Sequence, residues 1–255
     1  MGTKFSTRIW VSVVGIASIF FGSKGYADTV ISVADFGLKP DTRENAVAYV
    51  QKAIEACRGK EPVTLVFPEG RYDFWPQYAH EKNYYETNTY DVFPKRLAML
   101  FEGLHNITVD GSGSQFIMHD RIQPITVENC DGVTLKNFSI DWDIPLTAQA
   151  RVTKVGSDFF EIEINVLESP YIIEDGKLVF VGEGWKSALG SMIEFESDTH
   201  FVVPGTGDLV LGWNWGDYTA VSPRYGIVRL SRKGGFERYP AEGNWLVLRH
   251  STRDH

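Results

Sequence analysis

The sequence predicts an all-β protein built from two kinds of sheet: a stacked parallel β-helix near the N-terminus and an antiparallel β unit that interrupts it. Three observations point there. Phe101–Val109 can be laid over Val127–Leu135 at an offset of 26 residues, which puts Glu102 on Glu128 and Thr108 on Thr134. The same offset puts apolar Phe101, Leu104, Ile107 and Val109 on Val127, Cys130, Val133 and Leu135. A period in the twenties with short strands and turn residues is what stacked coils write into a sequence, because each coil buries its inward side chains only by stacking on the next. From about residue 148 the pattern changes to short alternating strands separated by Gly, Pro and Asp turns, as in a small barrel or sandwich. Only one segment, near 41–58, has a clear helical period.

Taken in order, residues 1–27 read as a signal peptide. Lys4 and Arg8 precede an apolar run from Ile9 to Phe21, which is short for a bilayer span. Gly25-Tyr26-Ala27 then offers small residues for cleavage before Asp28. Export to the periplasm or beyond follows, with no membrane span after signal cleavage; an uncleaved anchor is the alternative. Residues 28–147 would form the N-terminal cap and first coils. Within them, Val30–Val33 reads as a strand and Asp35 as a turn residue. Asp41, with Glu44 three residues on, reads as a capping box for a helix whose face carries Ala46, Val47, Val50, Ile54 and Cys57. Val63–Phe67 and Arg71–Phe74 read as strands about the turn Pro68-Glu69-Gly70, and 75–95 as a long surface loop.

Residues 148–248 form the inserted antiparallel unit. Strands are expected at 150–155, 159–166, 177–181, 192–196, 209–213, 226–230 and 245–249. Residues 249–255 read as a return to the solenoid in a truncated chain, because no cap follows.

Charge narrows the partners. The chain carries a net charge of −8, and its first 27 residues hold three basic side chains and no acid, so the remainder is more acidic still. Such a body repels phosphate backbones, which argues against nucleic acid, and repels acidic glycans unless a cation or basic patch intervenes. A neutral sugar meets no such barrier. Cys57 and Cys130, the two cysteines, sit in apolar patterns on an expected helix and an expected strand and read as buried free thiols. No Cys/His cluster, no His pair at ligand spacing, no GxSxG and no phosphate-binding loop occurs, so no metal and no cofactor is expected.

The candidate site residues are Asp141, Trp142, Asp143 and Arg71. In a strand, residues i and i+2 face the same side, so Asp141 and Asp143 would point together beside an aromatic plate. That arrangement suits a sugar, a shared proton or a cation; a turn in which both acids accept backbone amides is the plainer reading. Arg71 would clamp a hydroxyl or carboxylate, or form a structural ion pair. Trp213-Asn214-Trp215-Gly216-Asp217 is either a sugar platform or core. Glu102 and Glu128 read as solvated surface rungs, and Asn106 and Asn137, which head sequons, as structural turn residues.

Two sets of motifs carry a resemblance. Val33-Ala34-Asp35-Phe36-Gly37, the helix through Ala53-Ile54-Glu55-Ala56, and Phe67-Pro68-Glu69-Gly70-Arg71-Tyr72 resemble the opening of pectin-lyase-like proteins. The resemblance implies a right-handed parallel β-helix with the helix as its N-terminal cap. Leu104-His105-Asn106-Ile107-Thr108-Val109-Asp110-Gly111-Ser112-Gly113, with Asn137-Phe138-Ser139-Ile140-Asp141-Trp142-Asp143-Ile144-Pro145, is similar to the exo-acting α-1,3-galactosidases of glycoside hydrolase family 110. That resemblance implies an inverting hydrolase acting on terminal α-linked galactose of an oligosaccharide or glycan. It also implies catalytic carboxylates on later coils, beyond His255, so they map onto no residue here. A pectate lyase or polygalacturonase, and a non-catalytic glycan-binding β-helix, are the rival readings.

Overall fold

The computed structural model describes residues 29–84, 93–206, 218–236 and 238–250. Among the described residues the structure is all-β apart from one α-helix and a short 3-10 turn, and the chain divides into two compact units. The first comprises residues up to Glu81, Arg96–Met118 and Ile122–Asp141; the second comprises Lys82–Lys95, His119–Arg121 and Trp142 onward.

In the first unit, β1 (Thr29–Ser32) runs into the 3-10 turn Val33–Phe36 and is followed by α1 (Val47–Cys57), β2 (Val63–Val66) and β3 (Arg71–Phe74). Then come β6 (His105–Met118) and β7 (Gln123–Glu128), together with β4 (His80–Tyr84), β5 (Phe93–Glu102) and β8 (Asp131–Trp142), whose residues the division shares between the units. β4 occupies part of the segment expected to be loop; residues 85–92 lie outside the described ones. Four of the pairings are parallel. β1 aligns with β2, β2 with the first half of β6 (Val63 opposite Ile107), and β3 with the second half (Arg71 opposite Gln115). Ser112 and Gly113, at φ 51° and 90°, sit between the halves of β6, a backbone region glycine enters at little cost. β5 pairs in parallel with β7, with Phe101 opposite Val127 and Glu102 opposite Glu128, so partners are 26 residues apart. Both glutamates are half-buried rather than fully solvated.

β8 pairs with β6. There Asn137 donates to the Asp110 carboxylate (3.0 Å), and a Cβ on Gly111 would come 2.5 Å from that of Phe138. Asn106 and Asn137 adopt φ 48° and 59°, the left-handed region asparagine tolerates. The repeat equates Leu135 with Val109, yet Val109 is fully buried and Leu135 is 39 % exposed. The cause is position: β6 has strands on both sides, whereas among the described residues β8 pairs with β6 alone.

The helix starts later than its sequence signal suggests. Its N-cap is Ala46, without a side-chain cap. Asp41 is at φ 61° and accepts the Arg71 amide (2.9 Å) instead, which ties residue 41 to a turn. Asn45 takes over the start, its side-chain oxygen accepting the amides of Val47 and Trp75. The helix buries Val47, Val50, Ala53, Ile54 and Cys57. Beside it Phe67, Tyr72, Phe74 and Phe138 surround Phe116, at centroid distances of 4.7, 6.1, 5.7 and 4.8 Å. Such aromatic pairs add about 0.5–1.5 kcal/mol each beyond the area they bury. Both cysteines are free thiols. Cys130 lies in the turn between β7 and β8 rather than in a strand, and it is half-buried because its Sγ is engaged by the Leu104 amide and the Phe101 carbonyl.

The second unit is antiparallel. It holds β9 (Thr147–Val155), β10 (Phe159–Ile164), β11 (Tyr171–Glu174), β12 (Lys177–Gly182), β13 (Trp185–Ala188), β14 (Ser191–Phe195), β15 (Tyr218–Arg224), β16 (Ile227–Arg232) and β17 (Trp245–Arg249). Six of these form one sheet in the order β14-β17-β9-β10-β16-β15, and β11-β12-β13 form another. The inward residues of both sheets join one core, with Ala148, Ala150, Val152, Phe160, Ile162, Phe180, Leu230 and Leu248 among them. Arg249, where the sequence suggests a return to the solenoid, ends β17 opposite Thr147 and Ser191. The strand expected at 209–213 and the Trp213–Asp217 motif lie outside the described residues.

Candidate functional site

The structure treats the four singled-out residues differently. Arg71, on β3, reaches across to Asp73 two residues on. Its Nε donates to both carboxylate oxygens at 3.0 Å, and its Nη2 lies 2.5 Å from one of them. The Asp73 side chain is completely buried, and Arg43 approaches it at 3.8 Å. Burial of a carboxylate demands such a partner, so Arg71 serves an ion pair inside the first unit.

Asp141 and Trp142 are the last residues of β8, and Asp143 lies just past its end in a bend. The alternation that would align the two acids therefore stops between them. Asp141 belongs to the first unit, and Trp142 and Asp143 to the second.

Asp143 joins residues the sequence did not suggest. A donor atom from each of His119, Asp143 and Glu183 lies within 4.8 Å of the other two. Local chemistry explains the placement of Glu183. Gly182 pairs with Trp185, so Glu183 and Gly184 make a two-residue hairpin turn between β12 and β13. Gly184 has φ 73°, a backbone region glycine enters at little cost. The short segment after β6 runs alongside this turn. The Nδ1 of His119 is 2.7 Å from a Glu183 carboxylate oxygen. A Cβ on Gly184 would sit 2.9 Å from the Asp120 carboxylate, and the Arg121 guanidinium lies 6.0 Å from the Trp185 ring. Trp185 in turn stacks on His250 (5.0 Å), which stacks on Phe180 (4.3 Å). These rings give the turn a rigid floor.

Burial within the cluster is graded. The His119 side chain is 2 % exposed and that of Glu183 is 41 %, while Asp143 is exposed. An imidazole at the bottom of an open rim of two carboxylates offers a nitrogen lone pair or proton and two anionic oxygens. An inverting glycosidase needs its two carboxyl groups about 6.5–9.5 Å apart to admit water. Oxygens of Asp143 and Glu183 that lie within 4.8 Å are closer than that. This pair therefore lacks the spacing of an inverting acid and base. Nothing in the sequence marks the cluster, because its members come from three segments with no common motif.

Comparison with known proteins gives the chain its relatives. Residues 148–246 match the family described as GLAA-B beta-barrel domain I. The chain is 58 % identical over 231 residues to a protein named alpha-1,3-galactosidase B from Bacteroides thetaiotaomicron, covering 90 % of this chain and 37 % of that one. It is 32 % identical over 226 residues to an alpha-1,3-galactosidase A from Shewanella woodyi, covering 88 % and 36 %. A third relative, alpha-1,3-galactosidase B from Akkermansia muciniphila, is 30 % identical over 236 residues, covering 91 % and 28 %. The chain spans 28–37 % of these relatives' length, and over nearly all of its own length it is a homologue of proteins named alpha-1,3-galactosidase.

Proposed function

We propose that the chain is part of an exported glycoside hydrolase of family 110 that removes terminal α-1,3-linked galactose with inversion. Identity of 58 % along 90 % of the chain to a protein bearing the alpha-1,3-galactosidase name carries this reading. In it, the first unit is the start of a right-handed, pectin-lyase-like parallel β-helix and the second is a domain inserted into it. The parallel register at a 26-residue spacing supports the solenoid. A neutral, galactose-ended glycan suits the acidic body, which a polyuronate would not. The acid and base that cleave the bond are supplied beyond His255.

The test compares the 255-residue chain with the full open reading frame it belongs to. Both are given an α-1,3-linked galactose disaccharide, and the first anomer released is followed by proton NMR. β-Galactose from the full protein and no turnover by the 255-residue chain are expected. α-Galactose as first product would overturn inversion, turnover by the 255-residue chain would overturn the location of the carboxylates, and inertness of both would overturn the substrate.

A further inference from the structure

We propose that His119, Asp143 and Glu183 bind one divalent transition-metal cation of the zinc or manganese type. The proposal stands on the second unit alone and holds whatever glycan the protein acts on. Three features carry it. The first is convergence: one nitrogen and two carboxylate oxygens from three separate segments lie within 4.8 Å of one another. Donors around a first-row divalent ion sit about 2.0–2.2 Å from it, hence about 3–4 Å apart. The 4.8 Å bound is a little wider than that, and the 2.7 Å contact between His119 and Glu183 needs to open only slightly as the ion takes the place of the hydrogen-bonding proton.

The second is the donor set. Imidazole nitrogen favours zinc and its neighbours over calcium or magnesium, which take oxygen ligands, while the two carboxylates also admit manganese. Two carboxylates supply the charge that a divalent ion neutralises. The third is the burial gradient. The imidazole is held at the bottom, 2 % exposed, while both carboxylates are exposed at the rim. Three protein donors on one side leave the other coordination positions facing solvent, the arrangement of an open site rather than a closed structural one. The short separation of the carboxylates, unsuited to flanking a water in glycoside inversion, suits joint coordination of one ion.

The experiment titrates the untagged 255-residue chain, stripped with chelator, with zinc, manganese and calcium chlorides by calorimetry. One equivalent of zinc or manganese is expected to bind saturably, with calcium at least about tenfold weaker. Asp143→Asn and Glu183→Gln replace exposed carboxylates by isosteres and should each weaken binding by about tenfold or more. Asp198→Asn, an exposed acid outside the cluster, should leave it unchanged. Circular dichroism of every variant establishes that it is folded. Three results would each overturn the site: no saturable binding by the unsubstituted chain, equal affinity in Asp143→Asn and Glu183→Gln, or binding of calcium alone.

Discussion

The two units bury a carboxylate each and satisfy it by different means. In the parallel unit Asp73 is held by charge, with Arg71 clamping both its oxygens. In the antiparallel unit Glu194, 1 % exposed, is held mainly by dipoles: the Ala241 amide at 2.8 Å and the Asn244 side-chain amide at 2.7 Å, with Arg238 further off at 3.4 Å. In the first unit Arg71 lies two residues before Asp73 on the same strand, and so on the same face, with Arg43 approaching from another segment. The antiparallel sheet instead brings a distant turn, residues 241–244, against β14 and offers its backbone. A charged partner and a set of dipoles fail differently when removed.

Arg71→Ala should therefore be the most damaging change. It removes the bidentate clamp on a buried carboxylate that Arg43 approaches only at 3.8 Å, and losses of about 3–5 kcal/mol are usual for breaking a buried pair. Urea denaturation reads the loss, and a change below about 1 kcal/mol would show that water or Arg43 replaces the clamp. Glu194→Gln removes the charge but keeps a hydrogen-bonding group in place, and about 1–3 kcal/mol is expected in the same assay. Equal losses from the two substitutions would erase the contrast between charge and dipoles.

A smaller effect tests the stacking of β6 on β8. Gly111→Ala puts a methyl group 2.6 Å from the Asn137 carbonyl oxygen as well as against Phe138. Both neighbours belong to the adjoining strand, so relief requires moving it, at about 1–3 kcal/mol. Thermal melting should fall, and hydrogen exchange should accelerate first in 131–141. No change in either would mean that the two strands are less closely apposed.

The smallest effect concerns Asp110. Burial works to raise its pKa, but the Ser112 amide, the Asn137 side chain and the Lys136 ammonium at 3.2 Å outweigh burial and hold it below the usual carboxylate value. A carboxyl group depressed on folding adds stability above its unfolded pKa and loses it as pH falls through the folded one. Asp110→Asn should thus cost less than about 1 kcal/mol at neutral pH, since Lys136 is half-exposed. The difference from the unsubstituted chain should shrink towards zero in acid. A difference that grows as pH falls would refute the assigned sign.

The contrast between the units also explains what could be read from sequence. Antiparallel strands with one wet face announce themselves: β9 and β10 alternate buried and open residues almost without break. The offset between Phe101 and Val127 is legible because strands paired in parallel register carry similar residues at matched positions. Short β4, β11, β13 and β15 escaped, being four to seven residues long with little alternation. The Asp41 signal misled because a capping side chain also serves a turn, and here the Arg71 amide claims it. The cluster around Glu183 was illegible for a different reason. Only Asp143 was singled out beforehand, and its expected neighbour Asp141 lies on the other side of a strand end that no local pattern marks.

The two thiols carry a practical consequence. Burial, the leading influence, pushes Cys57 up to about 11, so on the floor of the helix it is protonated and unreactive at neutral pH. Cys130, half-buried in the turn between β7 and β8, is then the more addressable of the two thiols. A fluorophore or spin label offered to the untouched protein should settle at a single, known place. That place is the turn between β7 and β8, so the probe would report directly on whether the strand paired with β5 keeps its register.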